Sequence, residues 1–220
     1  GMAVVLLAGG QAQAANTVGE NMELDSSKLY MIWDAYDAEG NELDQYEKVM
    51  FDNGGGSAGW LKYDANYKSE YSRKYNWRFT PVEGQDGQYY MRNQKTFQAV
   101  KGTAMTTEDD HPGDYVVTDK TVANQGGGYI LEVKKAEGDK CYVAIKSAET
   151  GKYMTTEEGT GDRTYVKFSD SADGNNPNSD WWCIAEDTNL MEGQDGKQML
   201  WMTLAREAHY RIPAITTANN

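Results

Sequence analysis

The sequence predicts an all-β protein built from three diverged copies of one four-strand unit. Three observations carry this: a motif repeated at a fixed offset, aromatic landmarks recurring at the same spacing, and short apolar runs bounded by Gly, Asn and Asp clusters. The motif is Gly-x-x-Met-Thr-Thr-Glu, at Gly102 to Glu108 and again at Gly151 to Glu157, 49 residues apart.

Each element follows from its residues. In the third copy YVAIKSAETGKYMTTE (Tyr142 to Glu157) leads to Tyr165-Val-Lys-Phe-Ser169, a polar loop and Trp181-Trp-Cys-Ile-Ala-Glu186. In the second, Tyr90 to Glu108 leads to Tyr115-Val-Val-Thr-Asp119 and Gly128-Tyr-Ile-Leu-Glu-Val133. The first fits the same frame with Tyr30-Met-Ile-Trp33, Lys48-Val-Met-Phe51, Trp60-Leu-Lys-Tyr-Asp64 and Asn76-Trp-Arg-Phe79. Met50, Met105 and Met154 are expected to be equivalent, 10, 10 and 11 residues ahead of Trp60, Tyr115 and Tyr165. Trp77, Tyr129 and Trp182 close the units at offsets of 52 and 53. At period two, Cys141, Val143 and Ile145 share one strand face, expected to be core, with Tyr142, Ala144 and Lys146 on the other.

The run from YVAIKSAETGKYMTTE through YVKFS to WWCIAE resembles the repeat of fascin-like β-trefoils, clearly in the third unit, less in the second and least in the first. The resemblance spans residues 28 to 187 and implies a six-stranded barrel capped by three hairpins. Ricin-type lectins share that fold and carry Gln-x-Trp, which is absent from this sequence, so none of their sugar-binding residues transfers. Actin bundling by fascin uses several trefoils in one chain and is not implied by one. The resemblance therefore speaks for fold and not for function.

The domain reading is a signal-peptide remnant at 1–14, an N-terminal segment at 15–27, the β-trefoil at 28–191 and a C-terminal extension at 192–220. Met2 to Leu7 is an apolar run, and Ala12-Gln-Ala14 suits a signal peptidase cutting after Ala14. Export to the periplasm, cell surface or medium of a bacterium-like cell follows. In the extension, Glu192 to Gly196 repeats Glu83 to Gly87 as Glu-Gly-Gln-Asp-Gly, and both precede apolar, Met-containing segments. The extension is thus a candidate added strand that packs on the trefoil and replaces or flanks the one near Tyr30.

A formal charge of −13 repels a phosphate backbone, which argues against a nucleic-acid partner. No stretch approaches the ~20 apolar residues of a membrane span. Cys141 and Cys183 are a candidate disulfide in an oxidising compartment.

Motifs for chemistry lack their context. Gly55-Gly-Ser-Ala-Gly59 has the Gly-x-Ser-x-Gly spacing but precedes a strand, where a nucleophile elbow needs a strand-to-helix turn, so it reads as a loop. His111 and His209 are far apart, no cysteines are close, and Asp170 to Asp180 misses the calcium-loop spacing, so no metal or cofactor is expected. Glu108-Asp-Asp110 and Glu157-Glu158 are adjacent carboxylates at hairpin ends, not a pair held across a cleft. No catalytic residue is assigned, and the chain is expected not to be an enzyme.

One segment departs from the repeat. Trp60 to Thr80 holds seven aromatics and five cations against Asp64 and Glu70, a local charge of +3. Trp77 and Phe79 belong to the fourth strand and read as core. Tyr67, Tyr71 and Arg73 have no barrel role that the other copies share, and with Tyr63 and Asp64 they are the predicted ligand-binding residues. The partner expected is a glycan, bound by ring stacking. The alternative is an extracellular protein, with the chain acting as a trefoil protease inhibitor or adhesin fragment.

Overall fold

A computed structural model describes residues 16–37, 39–44, 47–52, 54, 58–64, 73–104, 114–119, 126–138, 140–158, 164–172 and 180–187, with backbone alone for 58, 60, 64, 158 and 164. Twelve strands lie in this part of the chain. The first unit holds β1 (Tyr30–Asp34), β2 (Val49–Asp52), β3 (Ala58–Asp64) and β4 (Trp77–Pro81). The second holds β5 (Tyr89–Asn93), β6 (Ala99–Val100), β7 (Val117–Asp119) and β8 (Gly128–Glu137). The third holds β9 (Lys140–Ser147), β10 (Tyr153–Glu158), β11 (Thr164–Ser169) and β12 (Trp182–Glu186).

The first and fourth strands of each unit form a closed ring. β1 pairs β4, β4 pairs β5, β5 pairs β8, β8 pairs β9, β9 pairs β12 and β12 returns to β1, all antiparallel. The second and third strands make three hairpins, β2–β3, β6–β7 and β10–β11. These join through β3–β7, β3–β11 and a Tyr115–Lys167 bridge, which closes the cap. A six-strand ring with a three-hairpin cap and pseudo-threefold repetition is a β-trefoil. Nothing in these pairings singles out fascin among trefoils.

Equivalent hydrogen bonds show how deep the repetition goes. Asp34, Asn93 and Ser147 each donate their N–H to the carbonyl that opens the next strand, of Lys48, Gln98 and Lys152, at 3.1, 3.1 and 2.8 Å. Trp77 Nε1 donates to the Met50 carbonyl at 3.2 Å, Trp182 Nε1 to that of Met154 at 3.1 Å, and the Tyr129 hydroxyl to that of Lys101. The three closing aromatics are thus equivalent, as their spacing predicts. At the centre of the cap Leu61 N–H donates to Val116 and Val116 N–H to Val166, both at 3.0 Å. These three follow Trp60, Tyr115 and Tyr165, which are therefore the matching landmarks.

The methionine register needs a correction. Met50 faces Tyr63 and Met154 faces Phe168, and the matching second-unit residue, facing Thr118, is Val100 and not Met105. Hairpin bonding sets the equivalence: Phe97 N–H bonds Asn93 as Gly151 N–H bonds Ser147. Phe97 thus takes the place of Gly151, and the shared Gly-x-x-Met-Thr-Thr-Glu does not mark like positions. Met105 itself lies outside the described residues.

The barrel interior is one cluster containing Ile32, Met50, Leu61, Tyr63, Trp77, Phe79, Met91, Tyr129, Leu131, Val143, Ile145, Met154, Trp182 and Ile184, with others. Val143 and Ile145 are core, as period two requires. Their neighbours Tyr142 and Ala144 are buried too, and Tyr142 belongs to a second apolar layer that covers the outer wall. That layer holds Met31, Trp33, Ala35, Val49, Tyr75, Tyr142 and Cys183, with Tyr36, Leu43, Phe51, Trp181 and Ala185 packed against it.

The N-terminal segment adds to the barrel end. Gly19 and Met22 donate their N–H groups to Val133 and Leu131 at 2.9 and 2.8 Å, and Met22 and Leu24 enter the core. The strand near Tyr30 is not displaced, since β1 pairs β12 over its full length. The segment 192–220 lies outside the described residues.

Candidate ligand-binding face

The predicted site residues fall in different places. Tyr63 is 1% exposed and sits in the barrel core, so it is corrected from ligand contact to packing residue. Its position at period two from Leu61 in β3 explains why. Asp64 ends β3 opposite Val49, and its side chain lies outside the described set. So do Tyr67 and Tyr71. Arg73 opens a short 3-10 helix, Arg73–Tyr75, and is half-buried; Tyr75 is buried in the outer layer.

Next to Arg73 the structure assembles a strip that no single segment of sequence contains. Lys74 Nζ lies 4.7 Å from the centre of the Phe51 ring and 4.8 Å from that of Tyr75, and the two rings are 5.4 Å apart. Phe51 stands opposite Lys62 in the β2–β3 ladder, so both project from the same face. Lys62 in turn bridges to Tyr165 of the third unit, its Nζ 5.1 Å from the ring centre. Tyr165 meets Tyr115 of the second unit edge to face at 5.1 Å. From the cap centre outward the order is Tyr115, Tyr165, Lys62, Phe51, Lys74 and Tyr75, rings interleaved with ammonium groups. Phe51, Lys62, Lys74 and Tyr115 are half-buried, as stacking side chains on a binding face must be.

At the cap centre Tyr115 and Lys167 both approach Glu157, Lys167 at 3.3 Å. The hydrogen bond to Glu157, aided by burial and the carboxylate's charge, pushes the Tyr115 phenol up to about 12. The same hydrogen bond holds the Glu157 carboxyl below its ordinary value, with Lys167 adding to it. Glu157 is therefore an ionised acceptor in a fixed orientation.

The far end of the outer layer is also aromatic. Tyr36 stacks on Tyr142 at 5.9 Å and lies 6.3 Å from Trp181, while Lys135 sits over Tyr142 and pairs with Glu42 at 2.7 Å and Glu137 at 2.9 Å.

Cys141 and Cys183 are buried free thiols. Cys183 faces Tyr142 and Cys141 faces Ile184 in the β9–β12 ladder, so one thiol enters the barrel and the other the outer layer. The expected disulfide is corrected on that ground: the two side chains leave the sheet on opposite faces. Burial pushes both thiols up, to about 11 and about 12, which keeps them protonated and unreactive. No group of three or more His, Cys, Asp or Glu among the described residues is placed to hold a metal ion. Gly59 has a packing reason to be glycine, since a Cβ there would lie 2.3 Å from Asp52 Oδ1 and 2.5 Å from Thr118 Oγ1. Ser57 and both histidines lie outside the described residues. No helix among the described residues is long and apolar enough to cross a membrane.

Sequence reasoning missed Lys62, Phe51, Lys74, Tyr115 and Tyr165 as a set. Tyr115 and Tyr165 were legible as third-strand landmarks, yet the strip exists only because β3 pairs β11 across units.

No protein-family model matches the chain, and no curated protein matches it. Solved structures do. A Caenorhabditis elegans protein of unknown function aligns with TM-score 0.53 and 12% identity over 80% of this chain and 99% of its own. A Culex quiquefasciatus salivary protein of the Cysteine and Tryptophan-Rich family gives 0.50 and 11% over 80% and 100%. The SDF2-like protein of Arabidopsis thaliana gives 0.50 and 12% over 72% and 92%. At these identities the likeness is one of fold.

Proposed function

We propose that the chain is an exported, non-enzymatic glycan-binding module whose ligand face is the ring and cation strip from Tyr115 to Arg73. The fold is compatible with carbohydrate or protein binding and fixes neither. What supports a glycan is the alternation itself. The apolar face of a pyranose stacks on an aromatic ring, while its hydroxyls need charged or polar groups at ring spacing. Phe51 and Tyr115 offer the rings, and Lys62, Lys74 and Glu157 the polar groups.

A glycan array run beside a protease-inhibition panel tests this reading. Wild type is expected to bind a subset of glycans saturably, and Phe51→Ala with Tyr115→Ala to weaken binding by about 1–2 kcal/mol per ring while circular dichroism stays native. A blank array with a protease inhibited would replace it by the protein-interaction reading.

A further inference from the structure

We infer that the ligand of this face is a neutral glycan and that Glu157 is the residue that selects it, accepting hydrogen bonds from two hydroxyls of a sugar laid along Tyr115. The inference rests on the glycan reading above and narrows it. Its ground is a carboxylate that the repeat does not ask for. Met50, Val100 and Met154 are equivalent by hairpin register, and three residues beyond them the chain carries Asn53, Thr103 and Glu157. Only the third unit puts an acid there.

Glu157 is placed to accept. The Tyr115 hydroxyl bonds it, and Lys167 Nζ lies 3.3 Å from its Oε1. These two donors hold the carboxyl in one orientation and below its ordinary value, so binding does not have to immobilise it. An ionised carboxylate has about four lone-pair directions, and Tyr115 and Lys167 use two of them. The side chain is 35% exposed, so a ligand can reach the others. Adjacent hydroxyls of a pyranose lie close enough together to donate to one carboxylate. A uronate has no such donor at its carboxyl group and would bring two anions into contact. The surrounding charge does not call for an ion either: Asp114, whose charge also reaches Tyr115, and Glu157 are matched by Lys62 and Lys167.

The test is calorimetric titration of the full chain with glucose-, galactose- and mannose-based trisaccharides, the C6-oxidised uronate form of the one that binds, and its monodeoxy forms. Wild type is run beside Glu157→Gln. The expected result is that a neutral trisaccharide binds, its uronate form binds at least about tenfold more weakly, and removal of either of two hydroxyls costs about tenfold. Glu157→Gln should lose about tenfold for the parent sugar, and the same two deoxy forms should then lose nothing further. Glu157→Thr, which carries the second unit's residue, replaces the amide variant if thermal melting shows that one unfolded. Equal or tighter binding of the uronate form, or deoxy losses that persist without the carboxylate, would overturn the role of Glu157 and leave the glycan reading intact. An array that binds acidic glycans alone would do the same; a blank array would remove the glycan reading with it.

Discussion

Two residue pairs make the chemistry of this protein measurable one side chain at a time. The Tyr115 phenol, raised to about 12 by its hydrogen bond to Glu157, stabilises the fold fully below the ordinary tyrosine value near 10. Above it the unfolded chain ionises first, so that contribution is lost as pH rises from about 10 to 12. Glu157 has the opposite sign: its folded value is lowered, so its contribution is present above the ordinary carboxyl value and is lost as pH falls through the folded one. Urea melts across pH should show Tyr115→Phe flattening both limbs, and unchanged limbs would mean the bond does not hold in solution. Ile145 is fully buried and Lys146 half-buried with its ammonium near Glu132. Ile145→Asp should cost several kcal/mol out of a typical total of about 5–15, and Lys146→Gln under about 1, by chemical denaturation. Equal losses would contradict the strand register. Period two made this face legible in the sequence. What it hid was the burial of Tyr142, since an outer apolar layer assembled from the first and third units leaves no mark on one strand.

At the scale of elements, the hairpin between first and second strands shows both how the repeat is written and how it misleads. Where the second strand opens, Lys48 at φ 47°, Phe97 at 62° and Gly151 at 71° have a left-handed backbone. Only the third is glycine, so the sequence gives no common signal for the turn. Hydrogen bonding, not residue identity, reveals Phe97 as the counterpart of Gly151. The shared motif instead aligns Gly102 with Gly151 and shifts Met105 onto Met154. Gly151→Ala has open space for the new Cβ, so its cost is backbone strain alone, about 1 kcal/mol by denaturation. No loss would show that the turn relaxes to a right-handed conformation.

At the scale of the molecule, closure of the ring by β1 and β12 brings together residues that the chain keeps far apart. The fold was legible because three units repeat their spacing, and repetition survives divergence of individual residues. The proposed ligand face was legible only at its Arg73 end, through the local excess of Tyr and cations. The rest depends on pairing between units, which no local pattern encodes. Gly19 and Met22 are bonded to β8. The proposed export predicts that mass spectrometry of protein secreted from the full gene finds Ala15 at the N-terminus. Intact protein in the cytoplasm would contradict export.

The central claim is that the strip, and not another face, meets the ligand. Amide chemical shifts of the isotope-labelled protein, followed while the best array glycan is added, read this directly. The account predicts changes concentrated at Phe51, Lys62, Lys74, Tyr115 and Tyr165, with the opposite wall of β8 and β9 unmoved. Changes centred on that wall, or on the N-terminal segment at Gly19 to Leu24, would contradict it.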